Sequence, residues 1–176
     1  MRNFLIYTIV FILLILMQVF LFDNLNISVY LSPLVYVGFI ILLPMNMKPV
    51  AILGLGLLTG IVMDILSGLG GLHTIATLAT AFLRPLAVNI TIGKDMARDG
   101  GIPVPLNVGA GTWLQYAALL VGVHCVVFFL FEALTFHYFG FTLLRIIVSA
   151  LATLLVIWFF AALFPTGGGK AVRKIS

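Results

Sequence analysis

Charged side chains are scarce in this chain: only 8% of its 176 residues are Asp, Glu, Lys or Arg, and only five are acidic. Hydrophobic residues make up 63%, and the mean hydropathy is +1.28. These values exclude an ordinary water-soluble domain and indicate an integral membrane protein. Since the few acidic residues lie mostly near helix ends or in links, the chain also lacks the series of intramembrane carboxylates expected of a proton pump.

The chain also lacks the residue patterns of common catalytic and ligand sites. It contains no HExxH sequence, no nucleophile elbow, no phosphate-binding loop and no pair of carboxylates on one predicted helix. Its single cysteine, Cys125, is expected to be buried and to form no disulfide. The three histidines, His73, His124 and His137, do not have the spacing of metal ligands. We therefore expect a protein without enzymatic activity, bound metal or cofactor.

Long apolar runs occupy most of the chain, and turn-forming residues separate them. Because one crossing of the bilayer needs about 20 residues, we predict an all-α integral membrane protein. It has one six-helix transmembrane domain at 1–165 and a basic tail at 166–176. The first run has no small-residue cleavage site after it, so we expect an anchored helix and not a removed signal peptide. The predicted spans are Phe4–Phe22, Val29–Met45, Pro49–Leu66, Leu72–Ile92, Val108–Phe136 and Phe141–Phe164.

Positive charges alternate between the links. They precede the first span, lie between the second and third and between the fourth and fifth, and follow the sixth, whereas the other three links have none. The positive-inside rule then places both termini in the cytoplasm, with external turns at 23–28, 67–72 and 137–140. The net charge of +4 thus reflects orientation and not nucleic-acid binding, and the tail is expected to lie on anionic lipid headgroups. The basic link residues are Arg2, Lys48, Lys94, Arg98, Lys170, Arg173 and Lys174.

The longest polar stretch is the cytoplasmic link Gly93–Pro105. Its glycine and proline content argues against a helix that continues from the fourth span. The stretch is either a solvated connector or a docking segment for a cytoplasmic partner, and the residues leave both interpretations open.

The third span carries a face of small residues that ends in a carboxylate. Gly56, Gly60 and Asp64 recur at intervals of four, so a neighbouring helix can approach closely there. That neighbour is either another helix of this chain or a helix of a partner. An Asp at the centre of a bilayer costs roughly 3 kcal/mol, so we expect Asp64 to face protein, water or the interface.

A tight turn joins the third span to the fourth. Gly68 and Gly71 supply the backbone angles that such a turn needs, and the Ser67 hydroxyl is expected to bond to backbone groups freed at the helix end. The hairpin should therefore bring the glycine face of the third span against the fourth span.

The fourth span has a polar face, formed by His73, Thr77, Ala81 and Arg84. Arg84 lies too deep below the turn to pair with the carboxylate of the third span. We expect it to bind carbonyl groups near Ala81 that Pro85 releases from the helix. The Arg84-Pro85 pair is then either a structural kink or a contact site for a partner or a lipid headgroup.

Glu132 and Arg145 are expected to form an intramembrane ion pair. Each lies a few residues below the same predicted turn at 137–140, and hence at a similar depth. Such a pair would fix the fifth span against the sixth.

The pattern Gly60-x3-Asp64-x2-Ser67-Gly68-x2-Gly71-x-His73, followed by Phe82-Leu-Arg84-Pro85, resembles the signature of the bacterial rod shape-determining MreD family. Leu42-Leu-Pro44 also fits. The resemblance covers the second to fourth spans, and the other spans agree only in number, length and orientation.

This resemblance implies a non-enzymatic scaffold or regulatory subunit of the cell-elongation complex in the cytoplasmic (inner) membrane, acting in peptidoglycan synthesis. The implied partners are MreC and further MreB, RodZ, RodA and its transpeptidase. MreD-like proteins are also similar in fold to the substrate-binding subunits of energy-coupling-factor vitamin transporters, which supply the alternative function. Those subunits usually carry an Ala-x3-Ala face on the first helix, whereas Phe4–Phe22 contains no alanine.

The expected partner-binding site is a semi-polar groove at the hairpin of the third and fourth spans. There, glycines would admit the membrane helix of MreC or another subunit, and Asp64 or His73 would supply polar contacts. The residues matched to the family are Gly60, Asp64, Ser67, Gly68, Gly71, His73, Arg84 and Pro85.

Overall fold

A computed structural model describes residues 2–23, 31–133 and 139–163, and these residues are helical apart from turns and short extended stretches. Five of the described helices are long and apolar enough to cross a membrane, so the chain is a multi-pass membrane protein. In chain order the helices are α1 Arg2–Met17, α2 Gly38–Ile41, α3 Pro49–Ser67, α4 Leu72–Thr91, α5 Lys94–Asp99, α6 Pro105–Val108, α7 Ala110–Ala133 and α8 Phe139–Leu163. A π-helical turn at Gln18–Phe22 extends α1.

Local residue chemistry sets the ends of α3 and α4. Pro49 occupies the first turn of α3, where its missing N–H costs no hydrogen bond. Gly68 ends α3 at φ +70°, and Gly71 precedes α4 at φ +101°, both in the left-handed region that favours glycine. The predicted ends of these two spans agree with the structure to within one residue.

The second predicted span, Val29–Met45, is not a membrane-spanning helix over the residues that the structure describes. Residues 31–34 are non-helical, a 3₁₀ turn covers Val35–Val37, and α2 has only four residues. We call residues 31–45 the buried segment, because its middle is shielded on all sides. An apolar run that is buried all round need not be regular, which is why hydropathy predicted a helix here.

The long helices pack in series. α3 lies on α4, α4 on α7 and α7 on α8, with the rings of Trp113 and Trp158 5.2 Å apart between the last two. The buried segment lies against α1, α4 and α8. α1 is the least buried of the five spanning helices and packs mainly on the buried segment, where the Phe11 and Phe39 rings meet edge to face.

The link after α4 packs on the chain itself. Gly93, at φ +96°, ends α4 before the short helices α5 and α6. The Gly101 carbonyl accepts a hydrogen bond from the Met45 N–H at 2.9 Å, and the Pro103 carbonyl accepts one from the Trp113 indole at 2.8 Å. The link therefore closes the end of the buried segment. The predicted turns at 24–28 and 137–138 and the basic tail at 166–176 lie outside the described residues.

Candidate functional site

The backbone of the buried segment needs partners other than its own, because irregular backbone at membrane depth is tolerated only where protein groups satisfy it. Two hydroxyls of α8 accept hydrogen bonds from the first residues of the buried segment. The Ser32 N–H donates to Ser149 Oγ at 3.1 Å, and the Leu34 N–H donates to Thr153 Oγ1 at 2.9 Å. Since Ser149 and Thr153 are four residues apart, both hydroxyls lie on one face of α8.

Gln18, in the π-helical turn after α1, holds the next residues. Its Oε1 accepts from the Val35 N–H at 2.7 Å, and its Nε2 donates to the Pro33 carbonyl at 3.0 Å and to Asp23 Oδ1 at 2.7 Å. Burial raises the pKa of the Asp23 carboxyl above its ordinary value, and the hydrogen bond from Gln18 opposes that shift. One amide side chain thus ties the end of α1 to the buried segment.

Arg84 and Tyr116 hold the other end of the buried segment. The Tyr116 hydroxyl donates to the Ile41 carbonyl at 3.0 Å, and the fully buried Arg84 donates to the carbonyls of Leu43 and Pro44. The Ile41 carbonyl lies at the end of α2 and the other two follow it, so no N–H of a continuing helix reaches them. The Pro44 carbonyl also accepts from the Met47 N–H at 3.4 Å. The prediction that Arg84 binds carbonyls of its own helix near Ala81 is wrong. As predicted, Arg84 makes no ion pair with Asp64.

The middle of the buried segment carries a tyrosine between two imidazoles. The Tyr36 hydroxyl lies 2.7 Å from His73 Nδ1 and 2.8 Å from His124 Nε2, and all three side chains are buried. His124 Nδ1 lies 3.1 Å from Thr80 Oγ1. The network joins α4 and α7 through the buried segment by hydrogen bonds.

The hydroxyl of Thr80 sets the direction of these hydrogen bonds. It donates to the Ala76 carbonyl at 2.8 Å, so it accepts from His124 Nδ1–H. Nε2 of a neutral His124 then accepts a hydrogen bond from the Tyr36 hydroxyl, and the Tyr36 oxygen accepts one from His73 Nδ1–H. His73 Nε2 is left as a buried acceptor without a hydrogen-bond partner among the described residues.

The glycine face of α3 packs against α4 of the same chain. A Cβ added to Gly56 would lie 2.7 Å from Ala81 Cβ, and one added to Gly60 would lie 2.4 Å from Thr74 Cα and from Thr77 Oγ1. Real Cβ atoms essentially never approach other atoms so closely. The sequence left open whether a helix of this chain or a helix of a partner covers this face. In the structure, α4 of this chain covers it.

Asp64 caps the start of α4. Its Oδ1 accepts from the His73 N–H at 3.0 Å, and its Oδ2 accepts from the Thr74 N–H at 3.0 Å and from Thr74 Oγ1 at 2.5 Å. The first N–H groups of a helix have no helical acceptor, and a negative charge there is favourable. Ser67 Oγ donates to the Met63 carbonyl at 2.6 Å and so stays within α3.

These contacts show that α4 of the same chain lies where the expected groove at the hairpin would admit a partner helix. Gly56 and Gly60 are covered by α4, Asp64 is engaged by the α4 backbone, and His73 is buried against Tyr36 and Phe128. The residues are brought together as predicted. Because α3 and α4 pack against each other here, however, Gly56 and Gly60 contact α4 and not a partner helix.

Glu132 and Arg145 form the expected ion pair between α7 and α8, with Arg145 Nη1 2.7 Å from Glu132 Oε2. Arg145 Nη2 also donates to Ser32 Oγ at 3.3 Å, and its guanidinium lies 4.7 Å from the centre of the Phe129 ring. The pair therefore also reaches the start of the buried segment.

Sequence reasoning missed the side chains that hold the buried segment, because they are single polar residues in apolar runs. Their position could have identified them, because a single polar residue inside an apolar membrane span needs a hydrogen-bond partner. The missed residues are Gln18, Tyr36, Thr80, Tyr116, His124, Ser149 and Thr153.

A search for metal-binding clusters among the described residues finds none. No family model, no curated protein and no solved structure matches the chain.

Proposed function

We propose that the chain is a non-enzymatic scaffold or regulatory subunit of the bacterial cell-elongation complex in the cytoplasmic (inner) membrane. In this role it supports peptidoglycan synthesis and cell shape through contacts with MreC and neighbouring membrane subunits. The complex would include MreB, RodZ, RodA and its transpeptidase. The basis of the proposal is the resemblance of the second to fourth predicted spans to MreD proteins.

One observation carries the proposal: the separate pieces of the resemblance belong to a single framework. Arg84 of the Phe82-Leu-Arg84-Pro85 piece donates to the carbonyls of Leu43 and Pro44, which belong to the Leu42-Leu-Pro44 piece. Asp64 of the remaining piece caps the helix that carries Arg84. The polar groups of this framework form hydrogen bonds within the chain. Such a framework is expected to be rigid, with its apolar outer faces left to contact other membrane helices.

The partner contact moves accordingly from the hairpin to the outer face of α4. Phe82 is the large side chain of the resemblance that points outward, at 70% exposure, and Leu86 and Ile90 continue the same face. Exposed aromatic residues are frequent anchors of protein contacts. In the proposed complex, a membrane helix of MreC or of another subunit packs along this face.

Affinity purification of the tagged chain from its bacterial host tests the function and the face together. We expect MreC and the cell-wall synthases to be recovered with the wild type and with Phe159→Ala, a control on α8 with 61% exposure. Phe82→Ala should lower that recovery at equal expression and equal monodispersity. Recovery of MreC that is unaffected by Phe82→Ala would move the contact elsewhere, whereas absence of MreC from the wild type would reject the function.

The alternative is the substrate-binding subunit of an energy-coupling-factor vitamin transporter. Its support is the buried segment, because transporters often bind their substrates at interrupted helices. In this chain, however, the backbone groups of the buried segment that are described above already form hydrogen bonds with side chains, so they are not free to bind a substrate. Co-purification of ATPase and coupling subunits, or of a vitamin in native mass spectra, would favour the transporter over the scaffold.

A further inference from the structure

A cavity of about 240 Å³ lies between α7 and α8, beside the Glu132–Arg145 ion pair. It is separate from the proposed partner face on α4. Its wall contains both apolar and charged side chains. The lining residues are Phe129, Glu132, Ala133, Phe141, Thr142 and Arg145.

The cavity lies close to the ends of both helices. Only residues 134–138 separate the described parts of the two helices. Glu132 is next to Ala133, the last described residue of α7, and Arg145 lies six residues after Phe139, the first described residue of α8. Six residues of helix correspond to about 9 Å. A bilayer has its headgroup and glycerol region at the ends of its spanning helices, so a cavity near those ends is within reach of the polar part of a lipid.

Arg145 has hydrogen-bonding capacity beyond its ion pair. Its Nη1 and Nη2 donate to Glu132 at 2.7 and 3.3 Å, and Nη2 also donates to Ser32 Oγ. A guanidinium has five N–H donors, and the buried Nε–H has no partner among the described residues. A carboxylate has about four lone-pair sites, and the hydrogen bonds to Glu132 described above use one on each oxygen. Both side chains retain partial exposure, 26% for Arg145 and 30% for Glu132.

The charges of the cavity select the class of occupant. An anion that approached Arg145 would meet the Glu132 carboxylate, and a cation that approached Glu132 would meet the guanidinium. A group with both charges can place each against its opposite. We propose that this cavity binds the headgroup of a phospholipid that carries a phosphate and a primary ammonium. The phosphate accepts from Arg145, and the ammonium donates to Glu132.

Native mass spectrometry of the purified full chain tests this assignment. The protein is mixed with equal amounts of phosphatidylethanolamine, phosphatidylcholine and phosphatidylglycerol that share acyl chains. The choline headgroup lacks an N–H donor and the glycerol headgroup is anionic. We expect phosphatidylethanolamine to be retained about fivefold better than phosphatidylcholine, because it forms one more charged hydrogen bond at a partly exposed site. Phosphatidylglycerol should be retained least.

Three variants separate lipid binding from folding. Ala133→Leu fills the cavity while leaving both charges in place, and it should remove the preference, whereas Ala110→Leu at the exposed opposite end of α7 should keep it. Glu132→Gln should equalise the ethanolamine and choline lipids and raise retention of phosphatidylglycerol. Equal retention of the ethanolamine and choline lipids by the wild type would overturn the proposal. So would a preference that survives in a monodisperse Ala133→Leu protein.

Discussion

Substitution of Gly60 by alanine tests the close approach of α3 and α4. The added Cβ would lie 2.4 Å from Thr74 Cα, at least 1 Å nearer than the 3.4–4 Å of an ordinary contact. Because Thr74 Cα is a backbone atom, no side-chain rotation relieves the overlap, and the two helices must move apart. Gly54→Ala is the matched control, since its Cβ meets nothing within 4 Å on the same helix.

Overpacking of this kind costs about 1–3 kcal/mol. It also displaces Thr74, whose N–H and hydroxyl both bond to Asp64, so we place the loss at about 2 kcal/mol. For a chain of this length, a loss of about 2 kcal/mol in the free energy of unfolding lowers the melting temperature by roughly 4–8 °C. Gly54→Ala should leave the melting temperature unchanged or slightly raised, because alanine favours a helix by up to about 1 kcal/mol.

Tryptophan fluorescence during thermal unfolding in detergent measures the difference, since the Trp113 and Trp158 rings are in contact between α7 and α8. A Gly60→Ala protein that unfolds at the same temperature as Gly54→Ala would refute the packing argument. Gly56→Ala should fall between the two, because its added Cβ would overlap the Ala81 side chain at 2.7 Å and the Thr77 carbonyl only at 3.3 Å.

Three further substitutions probe the polar groups of the core. Thr153→Val leaves the Leu34 N–H unpaired and should lower the free energy of unfolding by about 1–3 kcal/mol, measured by thermal unfolding. The control is Thr91→Val, which should cost almost nothing because the Thr91 hydroxyl bonds within its own helix. Equal losses in the two variants would contradict this account. Tyr36→Phe removes the hydroxyl between two imidazoles and should cost about 1–3 kcal/mol, with a change in the ¹⁵N NMR shifts of both rings; unchanged shifts would show that the network does not form. Asp64→Ala should cost about 1–2 kcal/mol and accelerate hydrogen exchange in the first turn of α4; unchanged exchange would exclude capping by this carboxylate.

The sequence predicted those features that depend on neighbouring residues. Pro49, Gly68 and Gly71 mark helix ends by their own backbone preferences, and the ends of α3 and α4 follow from them. The Glu132–Arg145 pair follows from similar depth below one turn. Each inference needs only the spacing along a helix or across a short hairpin.

The buried segment could not be predicted in the same way. Hydropathy measures how apolar a run is, and a run that is buried on every side is equally apolar whether it is helical or irregular. Its partners are also distant in the chain: Ser149 lies 117 residues after Ser32, and Thr153 lies 119 after Leu34. Arg84 illustrates the same limit, because its acceptors lie about 40 residues away and not in its own helix.

The distance between the buried segment and its partners constrains the order in which the protein is made. The segment leaves the ribosome more than 100 residues before the α8 hydroxyls that bond to Ser32 and Leu34. Unpaired backbone groups are costly in lipid, so before α8 is made these two N–H groups need other partners, such as water or a transient helical bond. A helix that is synthesised late therefore completes the hydrogen bonding of an early part of the chain.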